Sequence, residues 1–159
     1  MSASHQVVDY SLRRRALLRD FERGLITVNE ICDASPYLRN AARFHGEPTE
    51  DRCPICRREN VTHVRYAYGD ALRQSAGQAR RPAELSLMAA TVGEFQVYLV
   101  EVCRGCGWNH VMEQYLLGTS VTPAAPPGSA DGAPIEQPGR YLRASGDSGA
   151  RQRHRNGRV

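Results

Sequence analysis

Hydrophobic positions near the start of the chain recur at helical spacing. Leu12, Leu17, Leu18 and Phe21 gather on one side of a segment whose other positions carry Arg13, Arg14, Arg15, Arg19 and Arg23. Ser11 is placed to cap this helix and Gly24 to end it. Thr27-Val28-Asn29-Glu30 reads as a capping box opening a short helix that carries Val28 and Ile31. A third helix begins with Ser35 as cap and Pro36 in the first turn, presents Leu38, Ala41, Ala42 and Phe44, and stops at Gly46. Three such helices make a unit of about 35 residues, too small to be stable alone, so it should dock on something larger.

Beyond residue 60 the pattern changes to strands. Residues 61–68 alternate, with Thr62, Val64, Tyr66 and Tyr68 on one face and Val61, His63, Arg65 and Ala67 on the other. Residues 95–102 form a strongly apolar strand, and residues 108–117 a third. Between the first two, residues 70–81 have few apolar anchors and read as a mobile loop or weak helix. Residues 82–90 are helix-like. After residue 118 no period of 2 or 3.6 survives.

Composition sharpens that last boundary. The chain has 159 residues and a net charge of +4, and all 21 basic residues are arginine. Residues 119–159 carry a net +3, five of the nine prolines and six of the fourteen glycines. Such a segment buries too little apolar surface to offset the entropy of ordering it, so a disordered tail is expected. Its arginine-rich end is either a solvated tail or a contact for RNA, DNA or an acidic surface. Mean hydropathy is −0.51, and no run approaches the ~18 apolar residues of a membrane helix. A membrane protein, a secreted precursor and a large multidomain enzyme are thereby set aside, and a cytoplasmic location is expected.

The chemistry lies in the cysteines. Cys53 and Cys56 form one C-x-x-C pair and Cys103 and Cys106 a second, with Cys32 left over. Without a secretion signal, disulfides are not expected. Two such pairs read as one tetrahedral zinc site with a structural role, because each turn presents two thiolates to the same ion. Gly107 follows the second pair where a tight turn often needs positive φ. Arg52, Arg57, Arg58 and Arg104 would offset the formal −2 of a zinc tetrathiolate. The order knuckle, strand, strand, knuckle, strand is that of a zinc ribbon. The 46 residues separating Cys56 from Cys103 require an insertion within it. A pair of independent thiol couples, one of them redox-active, is the competing reading.

The segments Val8-Asp9-Tyr10-Ser11, Ile31-Cys32-Asp33-Ala34-Ser35-Pro36-Tyr37-Leu38, Ala42-Arg43-Phe44-His45-Gly46, Cys53-Pro54-Ile55-Cys56, Thr62-His63-Val64 and Val102-Cys103-Arg104-Gly105-Cys106-Gly107-Trp108-Asn109-His110 resemble an uncharacterised actinobacterial family. That family is known only as a domain of unknown function in small cytoplasmic proteins. The resemblance spans about residues 7–118 and implies no activity, substrate or partner.

The fold expected is α+β. An N-terminal arm (1–10) leads to a three-helix unit (11–46). That unit packs on a three-stranded antiparallel zinc ribbon (47–118) with a helical insertion at 69–94, and a disordered tail (119–159) follows. Cys32 reads as a packed core thiol, with a nucleophile or a fifth ligand as the lesser alternatives. His63 and His110 read as half-buried residues, as partners across the sheet, or as substitute ligands. His45 lies near a helix C-terminus. Trp108 should cover the zinc site or serve as a binding anchor. Tyr66, Tyr68 and Tyr98 with Arg65 read as core aromatics or as a stacking face for single-stranded nucleic acid.

The functional reading is a zinc-ribbon adaptor that binds protein or nucleic acid, such as transcription or translation machinery. A zinc-dependent or thiol-based enzyme is an alternative, weakened because four cysteines close the ligand shell. A helix-turn-helix DNA reader over residues 11–45 is a second, weakened by the small apolar residues Ala41 and Ala42. No partner is identified by the sequence.

Overall fold

A computed structural model describes residues 6–119. Its frame is a single antiparallel sheet. β3 (Asn60–Tyr68) pairs with β5 (Phe95–Val102), and β5 with β6 (Asn109–Leu117). β1 (Val8–Asp9) extends the sheet beyond β6. On the other side, β2 (Glu47–Arg52) and β4 (Gln78–Arg80) pair with successive halves of the free edge of β3. The order is β1-β6-β5-β3-β2, with β4 joining β3, six strands in all.

Both faces of this sheet are covered. Val64, Tyr66, Val100 and Val102 line one face and are packed by Ala34 and by Leu38, Ala41 and Ala42 of α3 (Pro36–His45). The opposite face divides into two regions. Ala67, Phe95 and Val97 meet Leu72 and Leu85, from a 3-10 helix (Asp70–Ser75) and from α4 (Pro82–Thr91). Nearer the cysteines, α1 (Ser11–Glu22) sends Arg14 to Glu101. The short α2 (Val28–Ile31) buries Ile31 beside Cys53, Cys103 and Trp108.

The expected three-helix unit on a three-stranded ribbon is therefore corrected to one six-stranded sheet with its helices dispersed over it. The physical reason lies in where each apolar stripe goes. α3 buries Leu38, Ala41 and Ala42 on one face of the sheet, whereas Leu17, Leu18 and Phe21 of α1 pack around the cysteines. The helices thus have no core of their own. The three strands missing from the expectation are short or polar: β1 has two residues, both exposed, β4 is three residues long with only Ala79 buried, and β2 reads Glu-Pro-Thr-Glu-Asp-Arg. Backbone pairing rather than alternation makes them strands.

Several local signals act as their chemistry dictates. The Thr27 N–H and hydroxyl both donate to the Glu30 carboxylate at 2.8 Å. The Leu38 N–H donates to the Ser35 hydroxyl at 3.2 Å. At α1 the capping residue differs from expectation. Ser11 is the first helical residue, and its N–H is taken by the Asp9 carboxylate at 2.6 Å. Gly46 is fixed by space, because a Cβ there would strike the Ala42 carbonyl and Thr62. Residues 70–81, expected as a mobile loop or weak helix, form the 3-10 helix and then β4, anchored by buried Leu72 and Ala79. Apart from Thr119, which bridges Gly93, the tail lies outside the described residues.

Candidate metal centre

Two turns of similar build project the cysteines. In the first, between β2 and β3, the Cys53 N–H donates to the Glu59 carbonyl at 2.8 Å and the Arg57 N–H to the Cys53 carbonyl at 3.0 Å. In the second, between β5 and β6, the Cys103 N–H donates to the Trp108 carbonyl at 2.8 Å and the Gly107 N–H to the Cys103 carbonyl at 3.0 Å. The residue after each second cysteine has positive φ, 52° at Arg57 and 92° at Gly107. Because β3 and β5 are paired neighbours, both turns leave the same end of the sheet and face each other.

The sulfurs of Cys53, Cys56, Cys103 and Cys106 all lie within 4.8 Å of one another, close enough to hold a metal ion. Cys53 and Cys106 are 3.6 Å apart, and Cys56 and Cys103 are 3.7 Å apart. A tetrahedron with metal–sulfur arms of 2.3 Å has edges of about 3.8 Å, so the donor set fits such a centre. Cys53 and Cys103 are buried, Cys56 and Cys106 half-buried.

Electrostatics divides the four thiols. Burial pushes Cys53 well above the usual thiol range, against the Cys56 and Ile55 N–H groups that favour its thiolate. Burial likewise raises Cys106 to about 12, although the Trp108 N–H points at its sulfur from 3.4 Å. At Cys56, desolvation is outweighed by the N–H groups of Arg58 and Glu59 and by neighbouring thiols, and the pKa falls to about 6.

A third segment closes over the second turn. The Ala34 N–H donates to the Gly107 carbonyl at 3.0 Å, and the Asn109 amide donates to Asp33 at 2.9 Å. Cys32 directs its thiol at the Cys106 sulfur, 3.6 Å away, but stands outside the mutually close set of four. Burial raises its pKa. The guanidinium of Arg39 on α3 donates to the carbonyls of Ala34, Arg104 and Gly105. Arg52 does the same for the first turn, reaching the Arg57 and Arg58 carbonyls. Sequence reasoning passed over Arg39, since nothing local marks a helix arginine that reaches a turn 65 residues away.

Trp108 is fully buried against Cys53 and Cys103, beneath the turns. Its indole stacks on His110 with ring centroids 6.0 Å apart. His63 and His110 are the cross-strand neighbours of Glu101 on either side, and neither joins the cysteine group. Tyr66 and Tyr98 are buried, and Tyr68 meets Tyr98 edge-on at 5.5 Å, so these tyrosines pack the sheet.

The sequence matches a family of unknown function, DUF5318, over residues 1–130. The chain belongs to DUF5318. Relatives of the chain are mycobacterial proteins, in line with the actinobacterial resemblance. The uncharacterized proteins Rv0049 and MT0055 of Mycobacterium tuberculosis and Mb0050 of Mycobacterium bovis are each 48% identical to it over 125 residues. That alignment covers 79% of this chain and 90% of each relative. No solved structure matches the chain. Among the described residues of this DUF5318 member, no helix is long and apolar enough to cross a membrane.

Proposed function

We propose that this protein is a zinc-binding module in which the ion is structural, and that it serves as a binding or adaptor module for protein or nucleic acid. One observation carries the metal reading: four sulfurs from two turns far apart in sequence lie within 4.8 Å of one another. Four thiolates fill a tetrahedral shell and leave no position for a water, which supports a structural ion over a catalytic one. When bound, zinc supplies a crosslink between the two turns. The chain's own groups do the rest: backbone N–H donors face the sulfurs, and Arg39 and Arg52 hold the turn carbonyls in place.

The binding role rests on the surface around that centre. Arg57, Arg58 and Arg104 are exposed on the two turns, and Arg13, Arg15 and Arg19 on α1. Guanidinium groups suit phosphate and carboxylate partners alike.

Metal analysis of protein purified under reducing conditions tests the first part. One zinc ion per chain is expected, and cobalt exchanged into the site should give a tetrahedral thiolate spectrum insensitive to small anions. A chain that is equally stable with no metal overturns it. Salt dependence then sorts the partner, because phosphate contacts weaken steeply with added salt.

A further inference from the structure

We propose that Cys32 and Cys106 form a peroxide-driven disulfide that withdraws Cys106 from the metal centre; this rests on the zinc reading above. Three features of the fold converge on the pair. The two sulfurs are 3.6 Å apart, the same distance that separates Cys53 from Cys106. Closing that gap to a disulfide of about 2.05 Å asks for roughly 1.5 Å of sulfur movement, within reach of side-chain rotation. The backbones are already joined. The Ala34 N–H holds the Gly107 carbonyl, Asn109 holds Asp33, and the Cys32 carbonyl lies so close to Gly107 that a Cβ there would sit 2.9 Å from it.

The second feature is that Cys32 has no ligand duty. Cys53 and Cys106, and Cys56 and Cys103, are equally close pairs, but both members of each belong to the proposed ligand set. Cys32 stands outside that set and is free to attack a neighbour. The third is access. Cys32 and Cys106 are both half-buried, whereas Cys53 and Cys103 are fully buried.

The step balances with hydrogen peroxide as the oxidant. The Cys106 thiolate attacks one peroxide oxygen, the O–O bond breaks, and a sulfenic acid and hydroxide result. Hydroxide takes the Cys32 proton and becomes water. The Cys32 sulfur then attacks the Cys106 sulfur, the S–O bond breaks, and the departing hydroxide takes a proton from solvent as a second water. Two thiol sulfurs lose one electron each, and peroxide gains two. Three thiolates remain around the ion, which weakens its hold.

The experiment uses the full chain loaded with zinc. Peroxide is added, released zinc is followed with a chromogenic chelator, and disulfides are mapped by mass spectrometry without reduction. The expected result is zinc release together with a Cys32–Cys106 linked peptide pair, reversed by dithiothreitol. Cys32→Ala should load zinc normally, give no linked pair and carry the unresolved Cys106 sulfenic acid on to sulfinic acid, so that dithiothreitol no longer restores zinc binding. Equal recovery of zinc binding by dithiothreitol in the two chains, or linked pairs that omit Cys32, overturn the proposal. A parent chain that carries no zinc before peroxide tells against the metal reading instead, and the linked-peptide map of that chain still decides whether Cys32 and Cys106 pair.

Discussion

The indole N–H of Trp108 donates to the carboxylate of Glu101 at 2.9 Å. Trp108 opens out of the second cysteine turn, and Glu101 lies near the end of the strand that enters it. Arg14 of α1 completes the group, with one guanidinium N–H to each carboxylate oxygen. Glu101 is 2% exposed, so these donors stand where water would otherwise solvate its carboxylate. Replacement by Ala leaves an indole N–H and a largely covered guanidinium unpaired. Glu101→Ala should cost about 3 kcal/mol, the low end for a broken buried pair, since the Arg14 side chain keeps 24% exposure. Glu101→Gln keeps an acceptor and should lose less. Urea denaturation of the metal-loaded chains measures both, and equal midpoints in all three would show that the pair does not anchor α1.

Cys53 and Cys32 should behave unequally. Binding by four thiolates supplies on the order of 10–16 kcal/mol in small metal domains. Cys53→Ser removes a buried member of the close set, so the two turns and the Leu17, Phe21 and Ile31 side chains packed on them should lose order. Cys32→Ala removes a sulfur outside the set and should cost about 1 kcal/mol, a typical small truncation. Amide NMR spectra with and without added zinc distinguish the outcomes. A Cys53→Ser chain with parental dispersion would sink the structural-metal reading.

The Thr27–Glu30 box gives a pH dependence. The Thr27 N–H and hydroxyl lower the Glu30 pKa below 4.5. A depressed carboxylate contributes stability that is complete above its unfolded value and disappears as pH falls through the lower folded value. Glu30→Gln mimics the protonated form. The parent should therefore melt higher than Glu30→Gln at neutral pH, and the gap should close as the pH drops well below 4.5. Paired thermal melts across that range provide the check. A gap that stays constant would mean that the carboxylate charge plays no part in the cap.

The sequence carried the parts of this molecule whose signals are local. The C-x-x-C spacing located four thiols that the fold brings together, and Thr27-Glu30 and Ser35-Pro36 marked helix starts that their hydrogen bonds explain. Architecture was not legible in the same way. A helix reveals which side is apolar but not which surface receives it, so Leu38 of α3 and Leu17 of α1 gave no sign of belonging to different cores. β2 and β4 have no apolar alternation and become strands only because the edge of β3 offers unpaired backbone groups. In the sequence Cys32 reads as a packed core thiol, because nothing local joins it to Cys106, 74 residues away.

Arg57 and Gly107 hold corresponding places in the two turns, and they should respond to substitution in opposite ways. Gly107 has φ of 92°, and a Cβ there would collide with the Arg39 guanidinium and approach the Cys32 carbonyl at 2.9 Å. Gly107→Ala thus combines backbone strain with displacement of the residue that holds the second turn. A cost of about 2–3 kcal/mol is expected, near the top of the range for a strained backbone site. Arg57 already occupies the left-handed region, at φ 52°, and its side chain is exposed. Arg57→Gly relieves about 1–2 kcal/mol of left-handed strain but adds unfolded-chain entropy worth about 0.5–1 kcal/mol. The net change should stay within about 1 kcal/mol, on the stabilising side. Chemical denaturation of the two zinc-loaded variants beside the parent measures the contrast. Comparable losses in both would mean that the turns do not share the backbone requirement their matching φ values imply.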